Sequence, residues 1–153
     1  MNISFDKVSQ NKIRIYGKDK GPIYMETPIL RCPFGLEKSY DNYLIKLQIN
    51  EDCCKFVEDI EKKMSDYLEL DEIKTQIQKS KNYLPLLICK LPYRYNKFEC
   101  NVTNIEGNYI NPYKIEKNTK MKCVLYLDNI WKYNDNFYYR WKVKDIVLQN
   151  CVY

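Results

Sequence analysis

Aromatic and basic side chains alternate near the C-terminal end of the sequence. From Phe137 to Lys144, the odd positions are apolar or aromatic, and three of the four even positions are Arg or Lys. Successive side chains of a strand point to opposite faces, so this pattern predicts one apolar face and one basic face. The inward residues are then Phe137, Tyr139, Trp141 and Val143. The outward candidates for stacking on bases and neutralising phosphates are Trp131, Lys132, Tyr133, Tyr138, Arg140, Lys142 and Lys144.

Two further segments combine aromatic and basic side chains in the same way. One runs from Lys90 to Phe98, and the other begins at the first predicted strand. Their candidate nucleic-acid contacts are Lys90, Tyr93, Arg94, Tyr95 and Lys97 in the first segment, and Lys12, Arg14, Tyr16, Lys18 and Lys20 in the second. For the first segment, a tyrosine-rich loop without a ligand is an equally good interpretation.

Charge is divided unevenly along the chain, whose net charge is +5. Residues 50–80 contain nine acidic residues and five lysines, a net charge of −4, so the remainder carries +9. A basic body with one acidic segment is typical of proteins that bind phosphates and turn the acidic segment away from the ligand. An AT-rich coding sequence would also enrich Lys and Tyr, so charge alone does not decide the function.

Catalytic, metal and cofactor sites are not predicted. The chain has no histidine to act as a general base, and its four glycines form no phosphate-binding loop. Its seven cysteines include no CxxC pair, and several of them, such as Cys89 and Cys123, are expected to behave as small buried hydrophobic residues in a reducing, intracellular setting. With no leader sequence and no run of about 18 apolar residues, we expect a soluble, cytoplasmic protein that does not bind membranes.

The elements that must position these side chains are mostly strands. Period-two alternation predicts strands at residues 12–16, 23–30, 43–49, 86–91, 98–103, 120–128, 130–133 and 137–148, with a hairpin loop at 134–136. After Asn50, a favourable N-cap, apolar residues recur at helical spacing over about fifteen residues. The polar face of this helix includes Glu58, Asp59 and Glu61, and a second short helix is predicted at 71–79.

This element order predicts one mainly β domain over residues 1–153, an OB-like barrel with residues 50–80 as a helical acidic insertion. An unrelated α+β sandwich would show the same order. Stacking on aromatic rings requires unpaired bases, and the predicted helix is acidic rather than a basic recognition helix. The residues therefore favour sequence-tolerant binding of single-stranded DNA. A protein-interaction or structural module, which could self-associate through its tyrosines, and an RNA-binding protein are the alternatives.

Several short motifs add a family resemblance. They are Tyr24-Met25-Glu26-Thr27-Pro28, Arg31-Cys32-Pro33-Phe34-Gly35-Leu36, the segment LLICKLP at 86–92, Ile130-Trp131, and Tyr139-Arg140-Trp141-Lys142-Val143. In this order they resemble OB-fold single-stranded DNA-binding proteins of large cytoplasmic eukaryotic DNA viruses and of yeast cytoplasmic linear plasmids. The resemblance implies a non-enzymatic protein that coats DNA exposed during replication. The final residues, 148–153, lack an acidic tail, so the acidic helix is the candidate surface for replication proteins.

Overall fold

The computed structural model describes residues 2–149. These residues form fifteen strands and one α-helix, and the helix follows the sixth strand in the sequence. The strands are β1 Ser4–Ser9, β2 Lys12–Tyr16, β3 Ile23–Glu26, β4 Leu30–Cys32, β5 Glu37–Ser39, β6 Asn42–Gln48, β7 Ile77–Ser80, β8 Tyr83–Leu91, β9 Tyr93–Arg94, β10 Lys97–Phe98, β11 Asn101–Asn104, β12 Thr119–Leu127, β13 Asn129–Tyr133, β14 Asn136–Tyr139 and β15 Trp141–Gln149. Helix α1 spans Glu51–Leu68, between β6 and β7. The prediction of a mainly β chain with one central amphipathic helix is confirmed.

The largest sheet has nine strands, and we call it the large sheet. Its main path runs β3-β12-β15-β8-β6-β5, while β4 pairs with β12, β11 with β15 and β7 with β8. Buried and more exposed side chains alternate along each strand, so the large sheet has one buried face. On β6, for example, Tyr43, Ile45 and Leu47 are buried, whereas Leu44 and Lys46 are only half-buried. The outward face of this sheet is therefore free to carry polar and aromatic side chains.

A second sheet has four strands in the order β1-β2-β13-β14, and we call it the arm sheet. Its inner face buries Ile13, Ile15, Ile130 and Tyr139 against the core. The β13–β14 hairpin turns through Asn134 and Asp135, whose φ angles of 51° and 61° are left-handed. Asn and Asp tolerate this conformation better than most residues, which is why the sequence predicted a turn here. The hairpin β9–β10 forms a separate two-stranded sheet.

Helix α1 begins and packs as its sequence predicts. The Asn50 side chain accepts a hydrogen bond from the backbone N–H of Cys53 at 2.8 Å, which caps the first turn. Val57, Ile60 and Met64 lie on the buried face. The helix ends at Leu68, after which the left-handed Glu69 reverses the chain.

The predicted second helix at 71–79 is wrong. Residues 70–76 form no helix, and Ile77–Ser80 is strand β7. Side chains of α1 bind two backbone donors of this segment instead, because Ser65 Oγ accepts from the N–H of Ile73 and Glu61 accepts from the N–H of Gln76, which a helix over 71–79 would need for itself. The segment is thus held as an extended connection. The predicted helical insertion at 50–80 is a helix, an irregular segment and a strand.

Three predicted strands are each divided in two. The strand at 23–30 is interrupted at Thr27-Pro28 since proline has no N–H to donate, and the strand at 98–103 is interrupted between β10 and β11. The strand at 137–148 divides at Arg140, so that β14 belongs to the arm sheet and β15 to the large sheet. Strands β1, β5 and β9 have no counterpart among the predicted strands.

The cysteines of the described range are all buried and unpaired: Cys32, Cys53, Cys54, Cys89, Cys100 and Cys123. Burial, as the largest cause, raises the pKa of the Cys32 and Cys100 thiols to about 11. This confirms the expected role of Cys89 and Cys123 as small hydrophobic residues and extends it to the other four, while Cys151 lies outside the described residues. Within 2–149, no group of three His, Cys, Asp or Glu side chains could hold a metal ion, and no helix is long and apolar enough to cross a membrane.

Candidate nucleic-acid interface

One row of side chains crosses the outer face of the large sheet, and we call it the sheet row. Strand register places Leu44 on β6 opposite Lys90 on β8, and Lys90 beside Lys142 on β15. Tyr126 on β12 lies opposite Lys142, and Tyr24 on β3 lies opposite Tyr126. Two lysines are therefore flanked by an aliphatic side chain on one side and two aromatic rings on the other.

A second row, which we call the arm row, lies on the outer face of the arm sheet. Trp131 on β13 is paired with Lys12 on β2 and with Tyr138 on β14. The Trp131 and Tyr138 rings are stacked, with centroids 6.0 Å apart and planes 26° apart. The guanidinium carbon of Arg140 lies 5.8 Å from the Trp131 ring centroid. The arm row thus presents aromatic faces next to fixed positive charges.

The two rows meet at a groove of about 310 Å³ between the sheets, hereafter the groove. Four predicted contact residues line it together: Lys90, Trp131, Tyr138 and Arg140. Arg140 reaches the groove because the chain leaves β14 and enters β15 at this residue. Its side chain therefore stands between the sheets, where the arm row and the sheet row come together.

The cations near the groove interact with one another and with aromatic rings. Burial, and then the charges of Arg140 and Lys142, lower the pKa of Lys90 below its ordinary value. Lys142 Nζ lies 3.1 Å from a carboxylate oxygen of Asp128 and 5.8 Å from the Tyr126 ring centroid. A phosphate placed beside Lys90 would relieve this repulsion among cations.

Lys144 lies next to the end of the sheet row. The pairing of β12 with β15 shifts by one residue here, because Val124 lies opposite Asp145 whereas Leu125 lies opposite Val143. Lys144 is the extra residue of this bulge, and its Nζ lies 5.1 Å from the Tyr24 ring centroid. The bulge also explains why the buried positions change from odd to even beyond Val143.

The inward face predicted from alternation is largely confirmed. Tyr139, Trp141 and Val143 are buried, and Trp141 is 0% exposed. Phe137 is half-buried and packs at the edge of the core. Its neighbour on β13, Lys132, places Nζ 5.6 Å from the Phe137 ring centroid, so Lys132 lies on this inner side rather than with Trp131.

The segment at Lys90–Phe98 is not a loop: Lys90 belongs to β8, and residues 93–98 form the β9–β10 hairpin. Tyr93 packs against Tyr43 and Phe98, with both ring centroids 4.9 Å away, and is half-buried. Arg94 Nε lies 3.4 Å from the carboxylate of Glu99. Tyr95 at the hairpin tip is 86% exposed. Lys97 is also exposed, and the structure brings into the groove none of the candidates Tyr93, Arg94, Tyr95 and Lys97.

The remaining candidates lie outside the lining of the groove. Arg14 lies opposite Asn129 on the outer face of the arm sheet, and Tyr133 is exposed at the end of β13. Tyr16 is half-buried at the far end of β2, opposite Ser4, and Lys18 is exposed in a short 3-10 turn. These residues share a sheet or its border with Lys12 and Trp131 without lining the groove.

Sequence reasoning missed several residues of this surface. Tyr24 and Tyr126 belong to the sheet row, and Lys74 lines the groove. The alternation of residues 23–26 could have placed Tyr24 on an outer face, but the alignment of Tyr24 with Tyr126 and Lys142 depends on strand register. Lys74 carries no sequence signal, because it lies in the segment that was predicted to be a helix.

Glu61 was predicted on the solvated face of α1, and this prediction is wrong. Its side chain is buried, and its carboxylate accepts hydrogen bonds from the Tyr139 hydroxyl, from Thr75 Oγ1 at 2.8 Å and from the N–H of Gln76 at 3.0 Å. Burial, and then the negative charge of Glu61, raise the pKa of Tyr139 well above its ordinary value. The Tyr139 hydroxyl therefore remains a donor. Glu61 is buried because these donors replace the water that it loses.

Comparison with known proteins gives a fold but no sequence family. No protein-family model matches the chain, and no curated protein matches it in sequence. Among solved structures, the single-stranded DNA-binding protein of bacteriophage Enc34 is similar at a TM-score of 0.61 and 12% identity, over 97% of this chain and 89% of that one. The same phage protein in complex with single-stranded DNA gives 0.60 and 13%, over 99% and 97%. The single-stranded DNA-binding protein gp2.5 of bacteriophage T7 gives 0.55 and 12%, over 87% and 89%. The chain therefore has the OB-like fold of these proteins.

Proposed function

We propose that this chain is a single-stranded DNA-binding protein that coats and protects unpaired DNA during replication, largely independently of sequence. The observation that carries the proposal is the groove, where Trp131, Tyr138, Arg140 and Lys90 come together from two sheets. Three of these residues lie in one C-terminal hairpin and its continuation, while Lys90 comes from a distant strand.

The groove has the two chemical components that such binding needs. The faces of Trp131 and Tyr138 would stack on unpaired bases, each worth about 1–3 kcal/mol and available to any base. Arg140, Lys90 and Lys142 would neutralise the phosphates that join those bases. The exposed acids of α1, such as Asp59 and Asp66, would face replication proteins instead of DNA.

The fold and the sequence motifs support the same proposal. Phage proteins with this OB-like fold are named as single-stranded DNA-binding proteins, and one of them was solved in complex with single-stranded DNA. The motif resemblance points to a non-enzymatic protein of a cytoplasmic DNA virus or linear plasmid. We propose this origin and a cytoplasmic location for the chain.

A fluorescence titration with oligo-dT at two salt concentrations tests the proposal. We expect quenching of Trp131 on binding, an affinity that falls with salt, and weaker binding by Arg140→Gln than by Lys55→Gln. Lys55 is exposed on α1 and outside the groove lining, so it is a matched control for the loss of one positive charge. No binding at low salt, or binding that salt does not affect, would refute the proposal.

The competing ligands are compared in the same assay. Equal lengths of single-stranded DNA, duplex DNA and RNA would be added as competitors, and single-stranded DNA is expected to compete best. Stronger competition by RNA would favour the RNA-binding alternative.

A protein-interaction module is the second candidate, favoured by tyrosines exposed outside the groove. Tyr40 is 95% exposed, and Tyr95 projects from the tip of the β9–β10 hairpin. Size-exclusion chromatography separates the two candidates. A stable oligomer that does not change when an oligonucleotide is added would favour the protein interface.

A further inference from the structure

We propose that residues 70–76 form a wall of the groove, that Lys74 in this wall contacts DNA phosphate, and that Glu61 is the positioning residue that holds the wall in place. This inference rests on the proposed function and extends it to a segment with no aromatic and basic pattern in its sequence. It is carried by the surroundings of Lys74 and by the hydrogen bonds of Glu61.

Lys74 has the geometry of a groove contact. It lines the groove together with Arg140 and Lys90, and its Nζ lies 5.9 Å from the ring centroid of Tyr138. The side chain is exposed, and within residues 2–149 no carboxylate lies within ion-pair distance of its Nζ. An ammonium in this position is available to an anion from outside the protein.

The two stacking rings are each accompanied by a cation. Arg140 lies over Trp131, and Lys74 lies over Tyr138. A base stacked on either ring would bring its own phosphate close to one of these charges, since a nucleotide carries both groups. Lys74 therefore stands to Tyr138 as Arg140 stands to Trp131.

Backbone bonds fix the two ends of the wall, where the N–H of Leu70 donates to the Ser65 carbonyl at 2.9 Å and the N–H of Ile88 donates to the Gln76 carbonyl at 3.1 Å, and side chains of α1 hold the residues between them. Thr75 Oγ1 and the N–H of Gln76 donate to the Glu61 carboxylate, and the N–H of Ile73 donates to Ser65 Oγ at 3.0 Å. Lys74 lies between these anchored residues. A segment without regular structure that is fixed by so few contacts depends on each of them for its position.

The same carboxylate also holds the opposite side of the groove. Tyr139 donates to Glu61, and the two sequence neighbours of Tyr139 are Tyr138 and Arg140, which line the groove. Glu61 thus links the 70–76 wall to the end of β14. Its role is to set the spacing between Lys74 and the rings, without touching DNA.

The first test is Lys74→Gln, measured by salt-dependent titration with oligo-dT. We expect an affinity loss of about threefold to tenfold at low salt, and a salt slope smaller by about 0.7, the value for one lost phosphate contact on a single strand. Lys55→Gln should leave the slope unchanged. A Lys74→Gln variant that binds like Lys55→Gln would overturn the inference while leaving the proposed function standing. Failure of the wild-type protein to bind would overturn both.

The second test asks whether Glu61 acts through Lys74. Glu61→Gln and Lys74→Gln are combined in a double-mutant cycle of oligo-dT affinity, at a temperature where thermal unfolding shows every variant folded. We expect Glu61→Gln to cost less affinity in the Lys74→Gln background than in the wild type. Fully additive losses would overturn the positioning role. If Glu61→Gln does not fold, Thr75→Val, which removes one donor from the same carboxylate, replaces it in the cycle with the same two outcomes.

Discussion

The hydroxyl of Tyr139 donates a hydrogen bond to the carboxylate of Glu61, and this contact joins the arm sheet to α1 across 78 residues of sequence. Both residues are buried: Tyr139 is 0% exposed and Glu61 is 8% exposed. A buried carboxylate is costly unless donors replace its water, and Tyr139, Thr75 and Gln76 supply them. Glu61 is the one buried carboxylate of α1, and its hydrogen bonds connect the acidic helix to the residues around the groove.

Tyr139→Phe is expected to lower the free energy of unfolding by about 1.5–3 kcal/mol, the usual contribution of a hydrogen bond to a charged group. The ring remains in place, so the loss isolates the hydroxyl. Urea denaturation followed by circular dichroism measures it. Tyr138→Phe is the control, because the neighbouring hydroxyl has no hydrogen-bond partner described within residues 2–149. Equal destabilisation by the two variants would contradict the assignment.

The two tryptophans are expected to behave differently when they are removed. Trp141 is fully buried, near the rings of Phe56 and Tyr139, so Trp141→Ala should cost about 3–5 kcal/mol of stability. Trp131 is half-buried at the groove, so Trp131→Ala should mainly lower the affinity for oligo-dT, by about 1–3 kcal/mol. Chemical denaturation and titration of both variants check this. Lost binding with wild-type stability in Trp141→Ala would show that the two faces are reversed.

The sequence predicts the faces of strands well because alternation is a local property. The types of residues 139–143 were enough to place Tyr139, Trp141 and Val143 inside, and the helical spacing after Asn50 predicted α1 and its cap. No local pattern in the sequence marks Arg140 as the point where β14 ends and β15 begins. Apolar and basic residues continue to alternate through the break, although the strands on either side belong to different sheets.

Contacts between distant segments account for what the sequence did not predict. The residues of the sheet row lie side by side because of the register in which the strands β3, β12, β15, β8 and β6 pair. These strands are far apart in the sequence, so their register could not be predicted from it. A second short helix was predicted at 71–79, but donors in that segment bond to Glu61 and Ser65 of α1. A local pattern cannot include a partner that lies in another element.

Asp128→Asn is expected to strengthen DNA binding. The Asp128 carboxylate forms an ion pair with Lys142 Nζ at 3.1 Å, so a phosphate that binds Lys142 must compete with Asp128. Its removal frees Lys142 and deletes one negative charge beside the sheet row, so the affinity should rise and the salt slope should steepen by up to about 0.7. Oligo-dT titration at several salt concentrations measures both quantities. Asp135→Asn is the matched control, since Asp135 pairs with Lys132 at 4.0 Å on the exposed hairpin turn. Weaker binding by Asp128→Asn would contradict the prediction.

Binding of DNA is expected to take up protons at alkaline pH because of Lys90. Burial, then Arg140 and Lys142, lower its pKa in the folded chain below the ordinary value of 10.5. Between these two pKa values the unfolded chain holds the proton more often than the folded chain, so this lysine makes the folded state more stable as pH rises through that range. A bound phosphate favours the charged form and returns the proton to Lys90.

Isothermal titration calorimetry in two alkaline buffers of different ionisation enthalpy measures this uptake. The apparent binding enthalpy of the wild type should differ between the buffers, because the proton comes from the buffer. Lys90→Arg keeps the charge and remains protonated throughout, so its enthalpies should differ much less. Equal enthalpies for the wild type, or the same buffer dependence in Lys90→Arg, would show that Lys90 does not face the phosphate. The comparison therefore tests the position of Lys90 in the groove independently of how much affinity it contributes.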